Sequence, residues 1–175
     1  MKPLTAFAFA ATLAASPAFA ADCNGSHALD RCLVGTWVYA GGGSAEWMSR
    51  NIHGAHVTGV THNDLRLTFG GDGKFSTGHV DTKATATSNQ SGISATGHST
   101  GAATGTWSVT GGKFNLCTTG VSTTVTVMVH GRPNTVTPAP AQPHATAYSC
   151  NAAALTTTQP IPGHEPIVTT YSRSH

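Results

Sequence analysis

Charge is what this chain has least of. Lys and Arg together number 9 and Asp and Glu 7 in 175 residues, for a formal net charge of +2. No basic run exists of the kind a nucleic acid or an anionic membrane surface requires, so neither partner is expected. Aromatic residues make up 7% of the chain, and beyond residue 20 only Phe69, Phe75, Phe114, Trp37, Trp47, Trp107, Tyr39, Tyr148 and Tyr171 remain. Whatever core forms must draw much of its volume from these few rings. After the first twenty residues no apolar run approaches the roughly 20 residues a membrane-spanning helix needs. Catalytic signatures are missing as well. The chain has no Gly-x-Ser-x-Gly elbow, no phosphate-cradling glycine loop and no metalloprotease helix motif, and its carboxylates are few and scattered. A non-catalytic role without a cofactor is the expectation.

What is present begins with "MKPLTAFAFAATLAASPAFA" at residues 1–20. Lys2 supplies a positive start, Leu4 to Ala15 an apolar stretch, and Ala18-Phe19-Ala20 an A-x-A cleavage site, which is the pattern of a Sec-type signal peptide. The expected mature chain, 21–175, is one domain in the periplasm or outside a bacterial cell. Its four cysteines, Cys23, Cys32, Cys117 and Cys150, form an even set, which in an exported protein reads as disulfides. Three connectivities are possible. The reading preferred here is a local Cys23–Cys32 staple with Cys117–Cys150 joining two strands. A zinc site is the rival, and it lacks any Cys-x-x-Cys pair.

Short β-runs separated by glycine turns dominate the rest. "RLTFGGDGKFST" (66–77) reads as a hairpin, with Leu67 and Phe69 before a Gly-Asp-Gly turn and Phe75 after it. "GTWSVTGGKFNLC" (105–117) is a second, with Trp107 and Val109 on one face and Phe114 and Leu116 on the facing arm. "TAYSCNAAALTTT" (146–158) is a third. "STTVTVMVHG" (122–131) is a long strand whose Val125, Val127 and Val129 share a face with Val121, opposite threonines and Met128. The stretch 83–105 is threonine-rich with little to bury, either a thin strand pair or a loop. "GRPNTVTPAPAQP" (131–143) reads as a proline-rich connection. Ser44, Glu46 and Gly54 frame a short helix after the first strand, with Trp47, Met48 and Ile52 near one side.

In order along the chain, "CLVGTW" (32–37), "LRLTFGGDGKFS" (65–76), "GTWSVTGGKFNLC" and "YSCNAAALTT" (148–157) resemble the small secreted bacterial lipocalin-like proteins. The resemblance covers about Cys32 to Thr158. Strands at this density read as a closed antiparallel barrel or a sandwich; the resemblance implies the barrel, all-β with about eight antiparallel strands, and the short helix read above then follows its first strand. The resemblance also implies that Gly35 and Trp37 close the barrel floor, with Arg173 as the arginine that such floors often carry.

The tripeptide Gly-Thr-Trp occurs twice, at 35–37 and 105–107. Trp37 and Trp107 are expected in the core with Phe69, Phe75 and Tyr148. Trp47, Met48 and Ile52, on the helix, are the candidate ligand contacts. Ten histidines include His53 and His56 at H-x-x-H spacing with His62 close by, but Gly54 interrupts the helix a metal pair would use, and scattered surface histidines are the plainer reading. The leading expectation is an exported barrel that binds a small apolar molecule between its strands and residues 44–53. The alternatives are a protein-binding module, such as a protease inhibitor acting through its N-terminal segment, and a surface domain with a filled core.

Overall fold

The computed structural model describes residues 28–51, 55–63, 65–88, 94–129, 132–136 and 144–174. They form β1 (Gly35–Gly42), α1 (Ser44–Asn51), β2 (Ala55–Asn63), β3 (Arg66–Phe69), β4 (Lys74–Thr77), β5 (Val80–Ser88), β6 (Ser94–Thr110), β7 (Lys113–Val129), β8 (Arg132–Val136), β9 (His144–Cys150), β10 (Ala154–Gln159) and β11 (Ile167–Arg173). Eight of these strands close a ring. β1 pairs with β3, β3 with β4, β4 with β6, β6 with β7, β7 with β9, β9 with β10, β10 with β11, and β11 returns to β1. Every pairing is antiparallel and joins neighbours in the ring's chain order. The architecture is therefore an up-and-down, lipocalin-like barrel with one short helix after its first strand.

The turns explain why the strands meet as they do. Gly111 and Gly112 both have positive φ, 59° and 72°, the two-residue geometry whose twist matches that of the flanking strands. Thr110 and Lys113 then face each other, and the register carries Val109 to Phe114 and Trp107 to Leu116. In the β3–β4 turn the Lys74 N–H donates to the Asp72 carboxylate at 3.1 Å, which holds that carboxyl below its usual range. Between β9 and β10, the Asn151 side chain accepts from the N–H groups of Ala153 and Ala154, a side-chain mimic of a backbone turn.

β6 and β7 are 17 residues each, far longer than the four-residue β3 and β4. Their lower halves complete the barrel. Their upper halves rise past it and collect β5 and β2 along one side and β8 along the other. The result is a five-stranded wing, in the order β2-β5-β6-β7-β8. Within 83–105, the described residues 83–88 and 94–105 thus form a strand pair and its continuation into the barrel. The stretch expected as a proline-rich connection contributes β8, an edge strand, where Pro133 has no inner ladder bond to lose.

Both Gly-Thr-Trp glycines are there because something else occupies the place of a side chain. A Cβ at Gly35, where φ is +131°, would lie 2.6 Å from Nη1 of Arg173. At Gly105 it would lie 2.1 Å from the Cys117 carbonyl oxygen and 2.8 Å from the Phe75 ring. A backbone atom cannot swing aside as a side chain can, and β6 already carries an irregularity between Thr104 and Gly105. We expect Gly105→Ala to lower unfolding stability by about 2–4 kcal/mol, the range of an overpacked core site. A change in urea midpoint smaller than about 0.5 kcal/mol equivalent would show that β7 can move away.

Candidate functional site

The barrel is filled from its floor upward. Residues 28–34 cross the closed end as a plug. Leu33 is fully buried, the Val109 N–H donates to the Ala28 carbonyl, and the Tyr148 hydroxyl donates to the Asp30 carboxylate at 2.7 Å. Burial first, and then that bond, push the Tyr148 phenol well above its usual range. Tyr148 is therefore a fixed donor that pins the plug rather than a group poised to titrate. The second oxygen of Asp30 accepts from the Cys32 N–H.

Cys32 is bonded to Cys150. This corrects the expected pairing of Cys23 with Cys32 and Cys117 with Cys150. The plug lies beside the β9–β10 turn, so Cys32 reaches a cysteine 118 residues away rather than its sequence neighbour. Cys117 is also disulfide-bonded, and Cys23 lies outside the described residues. A disulfide of this kind indicates an oxidising compartment.

Above the plug, Arg173 lies over Trp37, with its guanidinium carbon 4.2 Å from the ring centroid. The same guanidinium donates to the carbonyls of Val34, Cys32 and Ala152. Trp37 donates its indole N–H to the Leu33 carbonyl and Trp107 donates to that of Gly70, so both rings are buried with their one polar atom satisfied. Phe69, Phe75, Phe114, Leu116 and Leu155 fill the space between them. Phe69 meets Trp107 and Phe114 edge-on at 5.2 and 5.6 Å. Tyr148, half-buried, packs against this cluster through Phe114.

One layer higher, Tyr39 and Tyr171 are paired across β1 and β11 with ring centroids 6.4 Å apart. The Tyr39 hydroxyl donates to the Gly42 carbonyl. Burial, with Tyr39 alongside, pushes Tyr171 up to about 12. These two rings top the packed interior. A ligand would therefore sit at the mouth above them, not in the body of the barrel.

The mouth has one wall and one rim. The wall is the wing, and its faces differ. Register places Ala103, Val121, Val125 and Val127 on the face continuous with Gly105 and Trp107, hence with the interior. Ala84 and Ala86 join them from β5. Asp81, Lys83 and His98 stand on the opposite face, where His98 and Asp81 share a 2.7 Å hydrogen bond. Val121 remains 50% exposed, so the apolar wall meets solvent.

The rim is α1 and the turn at 160–166. Glu46 accepts from the Gly42 N–H, closing the start of α1. Trp47 donates its indole N–H to the Glu165 carbonyl and sets its ring edge-on to His164 at 5.7 Å. The most distinctive of the expected ligand contacts thus ties the helix to the rim. Met48 lies on α1, with its side chain outside the description, and Ile52 lies outside the described residues. So does His53, and of the His56 and His62 side chains nothing is described. Among the described residues no three His, Cys, Asp or Glu side chains gather as a metal site, and no helix is long and apolar enough to cross a membrane.

A groove of about 480 Å³ lies on the outer surface, between β3, β4 and β6, with Thr68, Ser76, Thr104, Thr106, Gly105 and Phe75 among its lining residues. Its floor is the back of the sheet rather than the barrel interior. No protein-family model, curated protein or solved structure matches this chain.

Proposed function

We propose that this is an exported, non-catalytic binding protein that takes a small apolar molecule at the barrel mouth, against the inner face of the wing. The observation that supports this is the wall itself. Ala103, Val121, Val125 and Val127 continue the apolar interior beyond the last packed layer, and Val121 is half exposed. Apolar surface of this kind is where a ligand gains most from leaving water. The paired Tyr39 and Tyr171 provide a floor, and α1, tied down by Trp47, provides a side. Export accords with the leader-like residues 1–20 and with the Cys32–Cys150 bond. The inhibitor alternative needs a free N-terminal segment, and residues 28–33 are instead bound into the floor by Asp30, Leu33 and Cys32.

The test is titration with N-phenyl-1-naphthylamine, a neutral dye that brightens in apolar surroundings. Saturable binding in the micromolar range is expected, weakened about tenfold or more by Val121→Lys, since a charge at the wall must be desolvated. Val168→Lys is the control, because Val168 is also exposed, at 41%, but alternates with the inward-facing Tyr171 and Thr169 register. No saturable signal, or equal losses in both variants, would remove the mouth as the site.

A further inference from the structure

The outer wall of the barrel is buried at one place, near the tip of the β6–β7 hairpin. Along β6, Thr104, Thr106, Ser108 and Thr110 point outward, because Gly105 and Trp107 belong to the interior. Thr104, Thr106 and Thr110 are exposed, as outward residues should be. Ser108 is only 4% exposed, and so is Asn115, which stands opposite it on β7. Among the described residues the Asn115 amide finds one side-chain partner, the Ser108 hydroxyl oxygen at 3.5 Å. A buried amide has two N–H donors and a carbonyl to satisfy, so whatever lies over this pair is itself polar. Further along the same outward row of β7 stands Cys117, which is disulfide-bonded.

We infer that the cover is residues 21–27 of the same chain, strapped across the outside of the hairpin by a bond between Cys23 and Cys117. The cysteine inventory selects the partner. Cys32 and Cys150 are bonded to each other, which leaves Cys23 for Cys117. Position agrees with this. The Val109 N–H donates to the Ala28 carbonyl, so the chain approaches residue 28 along the edge of β6 beside Ser108. Val109 faces Phe114 in register, and Cys117 lies from there one strand across and a short way along β7, roughly 11 Å in all. The chain from Ala28 back to Cys23 reaches up to about 17 Å, and the direct route between the two places passes over Ser108 and Asn115. Composition agrees too. Asn24-Gly25-Ser26-His27 offers polar groups and no large apolar side chain, which suits a serine and an asparagine, and Gly25 lets the backbone come close. The segment before the plug is then a fixed part of the outer wall at the closed end of the barrel, not a free arm.

The inference is independent of the mouth reading, and its test uses no ligand. Digestion of the unreduced protein with trypsin and chymotrypsin, which cut after Arg31 and Tyr148, separates all four cysteines. A peptide pair joining Cys23 to Cys117 is expected. Cys117 joined instead to a small thiol, or to Cys117 of a second copy, overturns the inference. The cover is tested by charge. Ser108→Lys is expected to lower the thermal midpoint by about 5 °C or more, or to abolish the folded state, because the ammonium group must displace the strap or be buried beneath it. Thr104→Lys, on the same row but exposed, is expected to change it by no more than about 2 °C. Equal midpoints for the two variants overturn the covering of this face even where the linked peptides are found.

Discussion

Replacing Cys32 and Cys150 together by serine should cost about 5 kcal/mol of unfolding stability. The bond joins residues 118 apart in sequence, and on the chain-entropy estimate a loop of that size in the unfolded chain accounts for nearly all of that figure. The location adds a second reason. Cys150 packs against the core, and Cys32 fixes the plug that carries Leu33 and Asp30 to the barrel floor. A domain of this size has a total stability of only about 5–15 kcal/mol, so the double variant should be partly unfolded at 37 °C. Urea unfolding of native and variant proteins, compared by midpoint and slope, measures the difference directly. A loss under about 1 kcal/mol would mean that the plug is held by its hydrogen bonds and apolar contacts alone.

That bond also marks where the sequence stops being legible. The hairpins could be read because their information is local. Gly111-Gly112 requires a tight turn, and the alternation of Trp107, Val109, Phe114 and Leu116 fixes the face each side chain takes. The ring of eight strands follows from several such units in a row. Cysteine pairing has no comparable local signal. It depends on where residues 28–34 travel, and that is decided by Leu33 and Asp30 finding the floor of a barrel made from the rest of the chain. The wing was half-visible for a related reason. Its rows alternate threonine with alanine or glycine, a contrast too slight to separate a strand from a loop until β5 and β6 are seen paired. β8 was hidden by Pro133, which reads as a break but is tolerated at an edge. At the rim, Trp47 was visible as an odd tryptophan on a short helix, yet its bond to Glu165 spans 118 residues and could not be foreseen.

Arg173 is the site of the second large effect, because one side chain holds three parts of the fold together. Its Nη1 and Nη2 donate to Val34 and Cys32 in the plug at 2.8 and 2.6 Å, its Nε donates to Ala152 in the β9–β10 turn at 3.0 Å, and its plane covers Trp37. A guanidinium can do this because its donors form a rigid fork and its face can stack; an ammonium group has neither property. Arg173→Lys should therefore lose about 2 kcal/mol despite keeping the charge, and Arg173→Ala about 3 kcal/mol, from hydrogen bonds of charged donors and the cation–π contact. Gly35 belongs to the same device, since any Cβ there collides with Nη1. A cycle between Arg173→Ala and Trp37→Phe should show a coupling of about 1 kcal/mol, because the two groups touch. If Arg173→Lys is as stable as the native protein in urea, positive charge alone suffices at the floor. The fork, the stack and the glycine that makes room for them would then be incidental to stability.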